Sequence, residues 1–198
     1  HSDGDHVNGL PGLPAGLTII AQEHVKADMV KASGDLPELV HCLPTALYKD
    51  SLDLKTDGRK ILLRYYGPAH TSGDTVVYFE PEKIAFVGDL VFIGRDPLIH
   101  LSKNGNSLGL VRTLKAVLAH KPRIESFISG HSGPASRQDV EKLIQSIEEK
   151  QSRVKAMIAE GKSLEDVKKD FGIDAAQEPG RRFPSLVEVI YRELKEKK

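Results

Sequence analysis

Hydrophobic positions in the first two thirds of the chain form short runs that are typical of β-strands. Strands are predicted at residues 17–21, 51–55, 60–66, 74–79, 84–87 and 124–129. Asp57-Gly58 predicts a tight hairpin turn, because both residues tolerate a positive φ. Helices are predicted at 22–32 and 108–119, where apolar residues are spaced as on one helical face. Residues 1–16 are rich in Gly, Pro and Asp and are predicted to form a loop.

The last third of the chain is predicted to be helical. Apolar residues recur there at three- and four-residue spacing, as in Val140, Leu143, Ile144 and Ile147. The first helix is predicted over 136–161, with Ser136 as its N-cap and Asp139 completing an imperfect capping box. Two further helices are predicted over 163–172 and 184–198. The chain therefore combines mixed strands and helices with a helical tail.

Composition and charge narrow the classes of function. A length of 198 residues favours one domain with an appendage. Lys+Arg and Asp+Glu number 28 each, and this zero balance argues against binding to nucleic acid or to an anionic membrane. No apolar run approaches the roughly 18 residues that a transmembrane helix needs. Cys42 is the single cysteine, which excludes an intrachain disulfide and a thiolate zinc cluster, and we expect it to be a small core residue.

Side chains that can bind metal ions occur in four short segments, each beside a glycine at a predicted junction of strand and loop. The segments are HSDGDH at 1–6, PAHTSGD at 68–74, VGDL at 87–90 and SGHSG at 129–133. Glycine permits a sharp turn and a close approach, and imidazole and carboxylate ligands suit a first-row divalent ion. The candidate ligands are His1, Asp3, Asp5, His6, His70, Asp89 and His131. Seven donors exceed what one tetrahedral ion needs and suffice for two.

The order of these four segments resembles that of the metallo-β-lactamase superfamily, over about residues 1–160. The resemblance implies an α/β (α+β) fold, an αββα sandwich with metal ions at one edge of its two sheets. Residues 161–198 would then form a helical C-terminal extension. An aspartate at position 89 resembles the hydroxyacylglutathione hydrolase and lactonase branches more than the zinc β-lactamases that have cysteine there.

The resemblance also implies a set of ligands. It assigns the first ion to His1, Asp3 and His70, the second ion to Asp5, His6 and His131, and the bridge between them to Asp89. The family pattern has histidine where this chain has Asp3, so an oxygen ligand replaces a nitrogen ligand at the first ion. One or two zinc ions are expected, and iron or manganese would also suit the donors. Alternatively, Asp3 could bond its own backbone in a turn and leave the first site weak.

The activity implied by the resemblance is hydrolysis of an ester, thioester or lactone by a metal-bound hydroxide. Asp5 is the expected catalytic residue, because it would both ligate the metal and orient the hydroxide. Arg95 and Lys103, in the polar loop after Asp89, are candidates to bind a carboxylate of a small-molecule substrate. Arg181-Arg182 could bind an anion, but a surface role is the simpler interpretation.

Other functions remain open at this stage. One is β-lactam hydrolysis on the same fold, and another is a non-catalytic metal-binding or scaffold protein on a decayed site, which the Asp3 departure favours. A nuclease is disfavoured by the zero net charge and by the short interval between His70 and His131. The family places strands before the first motif, so a preceding segment or a second chain is expected to complete the sheet. The compartment, cytoplasmic or periplasmic, is left undecided.

Several polar residues are expected to lie outside the site. Asp74 is interpreted as structural. The histidines that fit no motif are expected to be surface residues or to be satisfied by hydrogen bonds; they are His24, His41, His100 and His120.

Overall fold

The structure is a computed structural model that describes residues 1–34, 37–173 and 183–196. Its strands are β1 (Ile20–Gln22), β2 (Ala46–Tyr48), β3 (Ser51–Thr56), β4 (Arg59–Arg64), β5 (Val76–Phe79), β6 (Ile84–Gly88), β7 (Ser126–Ser129) and β8 (Ala135–Ser136). Its α-helices are α1 (Gly4–Val7), α2 (Glu23–Ala32), α3 (Ser107–Ala119), α4 (Arg137–Ala159), α5 (Leu164–Asp170) and α6 (Leu186–Glu196). Short 3-10 turns are formed by Leu10–Gly12, Pro37–Cys42 and Leu101–Lys103.

The predicted turn and caps are present. Asp57 and Gly58 both have positive φ, 48° and 75°, and join β3 to β4 as a hairpin. Ser136 and Asp139 form the predicted capping box at the start of α4. The prediction of an uninterrupted loop over 1–16 is wrong, because Asp3 O accepts bonds from two backbone amides and starts α1. Residues 174–182, which separate the last two predicted helices and include the pair Arg181-Arg182, lie outside the described residues, as does the end of the last predicted helix at 197–198.

Six strands form one mixed sheet whose spatial order, β3-β4-β5-β6-β7-β8, follows the chain. Neighbours pair antiparallel except β6 and β7, which are parallel and are connected through α3. β1 and β2 form a separate parallel pair. The chain is therefore of the mixed α/β class, with helices following the sheet.

The core lies between one face of the large sheet and the helices. Strand alternation places one set of side chains against α3 and α4; these are Val76, Tyr78, Ala85, Val87 and Phe127. The tail helix α6 adds Val187 and Ile190 to the same buried cluster and contacts both α3 and α4. The boundary near residue 160 stays a prediction, because the helices on either side share this core. In the described part of the chain, no helix is long and apolar enough to cross a membrane.

The opposite face of the large sheet is apolar but poorly covered. Val77, Phe86 and Ile128 are neighbours in register on β5, β6 and β7, and Phe86 is 48% exposed. That a preceding segment or a second chain covers this face stays a prediction.

The parallel pair β6–β7 sets the position of the functional edge. Gly88 is paired with Ser129 at the carboxyl ends of the two strands. Asp89 follows β6 directly and His131 follows β7 after one glycine. Two candidate ligands therefore emerge from neighbouring strands at the same edge of the sheet.

Candidate metal centre

The first group of candidate ligands consists of Asp5, His6, Asp89 and His131, whose ligand atoms all lie within 4.8 Å of one another. His131 Nε2 lies 2.9 Å from Asp5 Oδ2 and 3.1 Å from Asp89 Oδ2, and His6 Nε2 lies 3.2 Å from Asp89 Oδ1. The His131 ring stacks on Phe92 with an interplanar angle of 6°. Two imidazoles and two carboxylates thus converge on one small volume.

The second group consists of His1, His70 and Asp89. His1 Nε2 lies 3.8 Å and His70 Nε2 lies 3.6 Å from Asp89 Oδ2. His70 is 1% exposed, and its Nδ1 donates a 2.9 Å hydrogen bond to the carbonyl oxygen of Leu98. This bond fixes the ring and leaves Nε2 as the ligand atom. Asp89 belongs to both groups.

The electrostatics around Asp89 are dominated by the surrounding imidazoles. Burial raises the pKa of Asp89, but His1, His70 and His6 outweigh it and hold the pKa below its usual value. For His1, burial acts in the opposite direction and lowers the pKa. The carboxylates of Asp3 and Asp89 outweigh this effect and raise the pKa of His1 to about 9. The site is a cluster of opposite charges in which His1, His70 and Asp89 are the least exposed side chains.

Two observations show that the cluster fits a metal ion. Among the described residues, the buried atoms His1 Nε2 and Asp89 Oδ1 have no hydrogen-bond partner, and such orphans cost about 1–3 kcal/mol each. A β-carbon at Gly130 would lie 2.5 Å from Asp89 Oδ1, so only glycine lets the backbone come this close to the carboxylate. Gly130 therefore forms one wall of the metal cradle, the space enclosed by the candidate ligands. Nitrogen and carboxylate donors in this arrangement suit zinc, iron or manganese.

Asp3 faces the cluster and not its own backbone. As the residue before α1 it makes no capping hydrogen bond with its side chain, so the alternative of a local turn aspartate is wrong. Its Oδ2 lies 3.1 Å from Nε2 of His70 and 3.1 Å from Nε2 of His100. Asp3, His70 and His100 form a third group of possible ligands.

His100 is the site residue that sequence reasoning missed. It was expected to be a surface or otherwise satisfied histidine, and its Nε2 is indeed paired with Asp3 Oδ2 at 3.1 Å, but its ring contacts those of His70 and Phe183 and so lies against the candidate ligands. The sequence feature that could have indicated this is the position of His100 in the polar loop after Asp89. The expectation is correct for His24 and His41, which are exposed, and for His120, which pairs with Glu80.

The two predicted substrate-binding cations occupy different environments. Both line a groove of about 1040 Å³ beside the candidate ligands, together with Arg192 of α6. Arg95 lies over the Phe92 ring, 4.5 Å from its centroid. The ammonium of Lys103 lies 2.6 Å from Asp3 Oδ1 and also donates to Ser2, so its charge is directed at the ligand cluster and not at the groove alone.

Asp74 stabilises the loop that contains His70 through hydrogen bonds to Thr71. Its carboxylate accepts hydrogen bonds from the backbone amide of Thr71, at 2.9 Å, and from the Thr71 hydroxyl, at 2.7 Å. It is buried and belongs to none of the candidate ligand groups among the described residues, which supports its structural interpretation.

Comparison with known proteins identifies the family. A family model described as the metallo-beta-lactamase superfamily matches residues 1–158, and the chain belongs to this superfamily. Members are mostly metallo-hydrolases, which together with the ligand groups supports a metal-dependent hydrolase in general terms. A comparison with curated proteins found no match.

Solved structures show the same fold. The chain is similar to a metallo-β-lactamase from Pontibacter korlensis, with a TM-score of 0.62 and 16% identity over 73% of this chain and 66% of that one. It is also similar to DIM-1 metallo-β-lactamase exposed to ceftazidime, with a TM-score of 0.62 and 18% identity over 75% of this chain and 64% of that one. The chain thus spans just under two thirds of the length of these neighbours.

Proposed function

We propose that this protein is a metal-dependent hydrolase that acts on an ester, thioester or lactone carbonyl. The observation that carries the proposal is the convergence of Asp5, His6, Asp89 and His131 within 4.8 Å, beside a second group that shares Asp89. When bound there, one or two divalent ions, with zinc preferred over iron or manganese, would supply Lewis acidity and an acidified water.

Residues of the chain would hold the cation and orient the attacking water. His70, held by Leu98 O, and the buried Asp89 present fixed donors to the cation. The side chain of Asp5 is 55% exposed and lines the groove, so it reaches both the ligand cluster and an entering molecule. We assign to Asp5 the orientation of the attacking water, as the acceptor of its hydrogen bond.

The groove favours a small substrate with a negative charge. Arg95 and Arg192 both line it, and Arg95 is already held against Phe92. A guanidinium can bind a carboxylate through two parallel hydrogen bonds, which fixes the orientation of the carbonyl that reacts. Arg95 is therefore the proposed substrate-binding residue, with Lys103 acting at the boundary between groove and cluster.

The test is an activity panel with metal analysis. The 198-residue chain is loaded with zinc and assayed on a glutathione thioester, a γ-lactone, a p-nitrophenyl ester and nitrocefin. We expect hydrolysis of at least one of the first three, lost with a chelator and restored by zinc. Activity on nitrocefin alone would replace the proposal with β-lactam hydrolysis. Metal binding without any turnover would favour the non-catalytic alternative.

A further inference from the structure

The loop that follows β6 brings an imidazole to the ligand cluster from a part of the chain that carries none of the sequence motifs. His100 Nε2 and His70 Nε2 each lie 3.1 Å from the same oxygen, Asp3 Oδ2. We infer that His100 is a metal ligand, and that Asp3, His70 and His100 form a cation site distinct from the Asp5–His6–Asp89–His131 group. The inference rests on the proposed function only in requiring that the chain bind a divalent ion.

The three side chains are well buried and held in place. His70 and Asp3 are both buried, and the His100 side chain is 11% exposed. Leu98 O accepts the hydrogen bond from His70 Nδ1, which aims Nε2 at Asp3. The same short segment therefore supplies both the ring of His100 and the partner that orients the ring of His70.

Backbone packing locks this segment against the His70 loop. The amide of His100 donates to the carbonyl of His70 at 2.9 Å, and the amide of Gly105 donates to the carbonyl of His100 at 2.8 Å. A β-carbon at Gly105 would stand 2.4 Å from the carbonyl oxygen of His70, closer than any real contact. Glycine at 105 is therefore what lets the two histidine rings meet.

Lys103 determines how Asp3 would coordinate. Its ammonium occupies Asp3 Oδ1 at 2.6 Å and is also bonded to the carbonyl and hydroxyl of Ser2. Oδ2 is left for the two imidazoles, so the donor set is two nitrogens and one carboxylate oxygen. Two histidines with one carboxylate suit zinc, iron(II) or manganese(II).

His70 is shared by two possible sites, and its Nε2 lies nearer to the carboxylate of the one with His100. Its Nε2 lies 3.1 Å from Asp3 Oδ2 but 3.6 Å from Asp89 Oδ2. One nitrogen can bind only one ion, so occupation of the Asp3–His70–His100 site competes with the placement of that ion between His1 and Asp89. The identity of residue 100 should then decide the affinity of this ion.

The test is metal binding by variants of the full chain at position 100. His100→Phe keeps an aromatic ring beside Phe183 while it removes the nitrogen donor. His41→Phe is the matched control, because His41 is exposed and belongs to no ligand group among the described residues. Zinc per chain is measured after gel filtration, and affinity is measured by competition with a chromophoric chelator. We expect His100→Phe to lose one ion or to weaken one binding step by at least about 10-fold, with the control unchanged.

A positive signature comes from His100→Cys loaded with cobalt(II). A thiolate ligand would add a sulfur-to-cobalt charge-transfer band in the near ultraviolet, which wild type and His41→Cys would lack. Unlike a loss of metal binding, the appearance of this band cannot be caused by unfolding of the variant. Unchanged zinc binding by His100→Phe would overturn the inference while leaving the proposed function standing. A wild-type chain that retains no ion would overturn both.

Discussion

Gly130 lies against the carboxylate of Asp89 so closely that a β-carbon at position 130 would stand 2.5 Å from Asp89 Oδ1. The same atom would stand 3.0 Å from Cε1 of His6. Gly130 is not in the left-handed region of backbone conformation, so glycine is required here for space. The strand end of β7 therefore forms one wall of the metal cradle.

Gly130→Ala should weaken metal binding without unfolding the chain. The added methyl group has to displace Asp89 or the His6 ring, and both are candidate ligands. We expect the zinc affinity to fall by at least about 10-fold, a loss comparable to that caused by disturbing the partners that orient metal ligands. Chelator competition measures it. Gly133→Ala is the control, because nothing lies within 4 Å of a β-carbon there. Equal zinc affinities in the two variants would contradict the placement of Gly130 against the metal ligands.

Asp89→Asn should remove metal and activity together. Asp89 is shared by two ligand groups, and its replacement by an amide removes the negative charge on which four imidazoles converge. We expect at least about 100-fold lower turnover on the substrate found by the activity panel, with less zinc retained per chain. Asp53→Asn is the matched control, since Asp53 is an exposed partner of Lys60 and Arg64. Unchanged turnover in Asp89→Asn would reject the bridging role.

Much of the fold could be predicted because its determinants are local. The Asp57-Gly58 turn and the Ser136 cap each follow from two or three adjacent residues. The strands β2 and β8 were missed because three and two residues are too few for an alternation to be recognised. The topology of the large sheet needed a pairing of β6 with β7 across α3, which no local pattern encodes.

The residues of the candidate site also differ in whether local sequence could identify them. Asp89 and His131 were identified because each follows a strand and adjoins a glycine, and the parallel pairing brings them together. His100 was missed because its approach to Asp3 depends on the packing of Gly105 against the His70 carbonyl, a contact between distant parts of the chain. Sequence order indicates where strands end, but not which loop folds back over them.

Gly109→Ala should destabilise the chain although alanine is the better helix former. Gly109 lies in α3, and a β-carbon there would stand 1.8 Å from the carbonyl oxygen of Pro68. Helix propensity alone would favour alanine by about 1 kcal/mol. The clash with backbone outweighs this, and we expect a net loss of about 2 kcal/mol in the free energy of unfolding, measured in urea. Gly9→Ala, which would meet nothing within 4 Å, is the control. A stabilised Gly109→Ala would show that α3 does not lie on the His70 loop.

Zinc binding at pH 7 should release a proton from His1. The neighbouring carboxylates raise the pKa of His1 to about 9 in the metal-free chain, so the ring is protonated at neutral pH and must lose that proton to become a ligand. The raised pKa also means that this ion cluster stabilises the metal-free fold fully below the ordinary pKa of about 6.5 and that the contribution is lost as the pH rises through about 9. Metal affinity should therefore increase with pH up to about 9 and level off above it. Calorimetric titration in buffers of different ionisation enthalpy counts the protons. His1→Gln should release about one proton fewer than wild type at pH 7, and equal proton counts would exclude His1 from the ligand set.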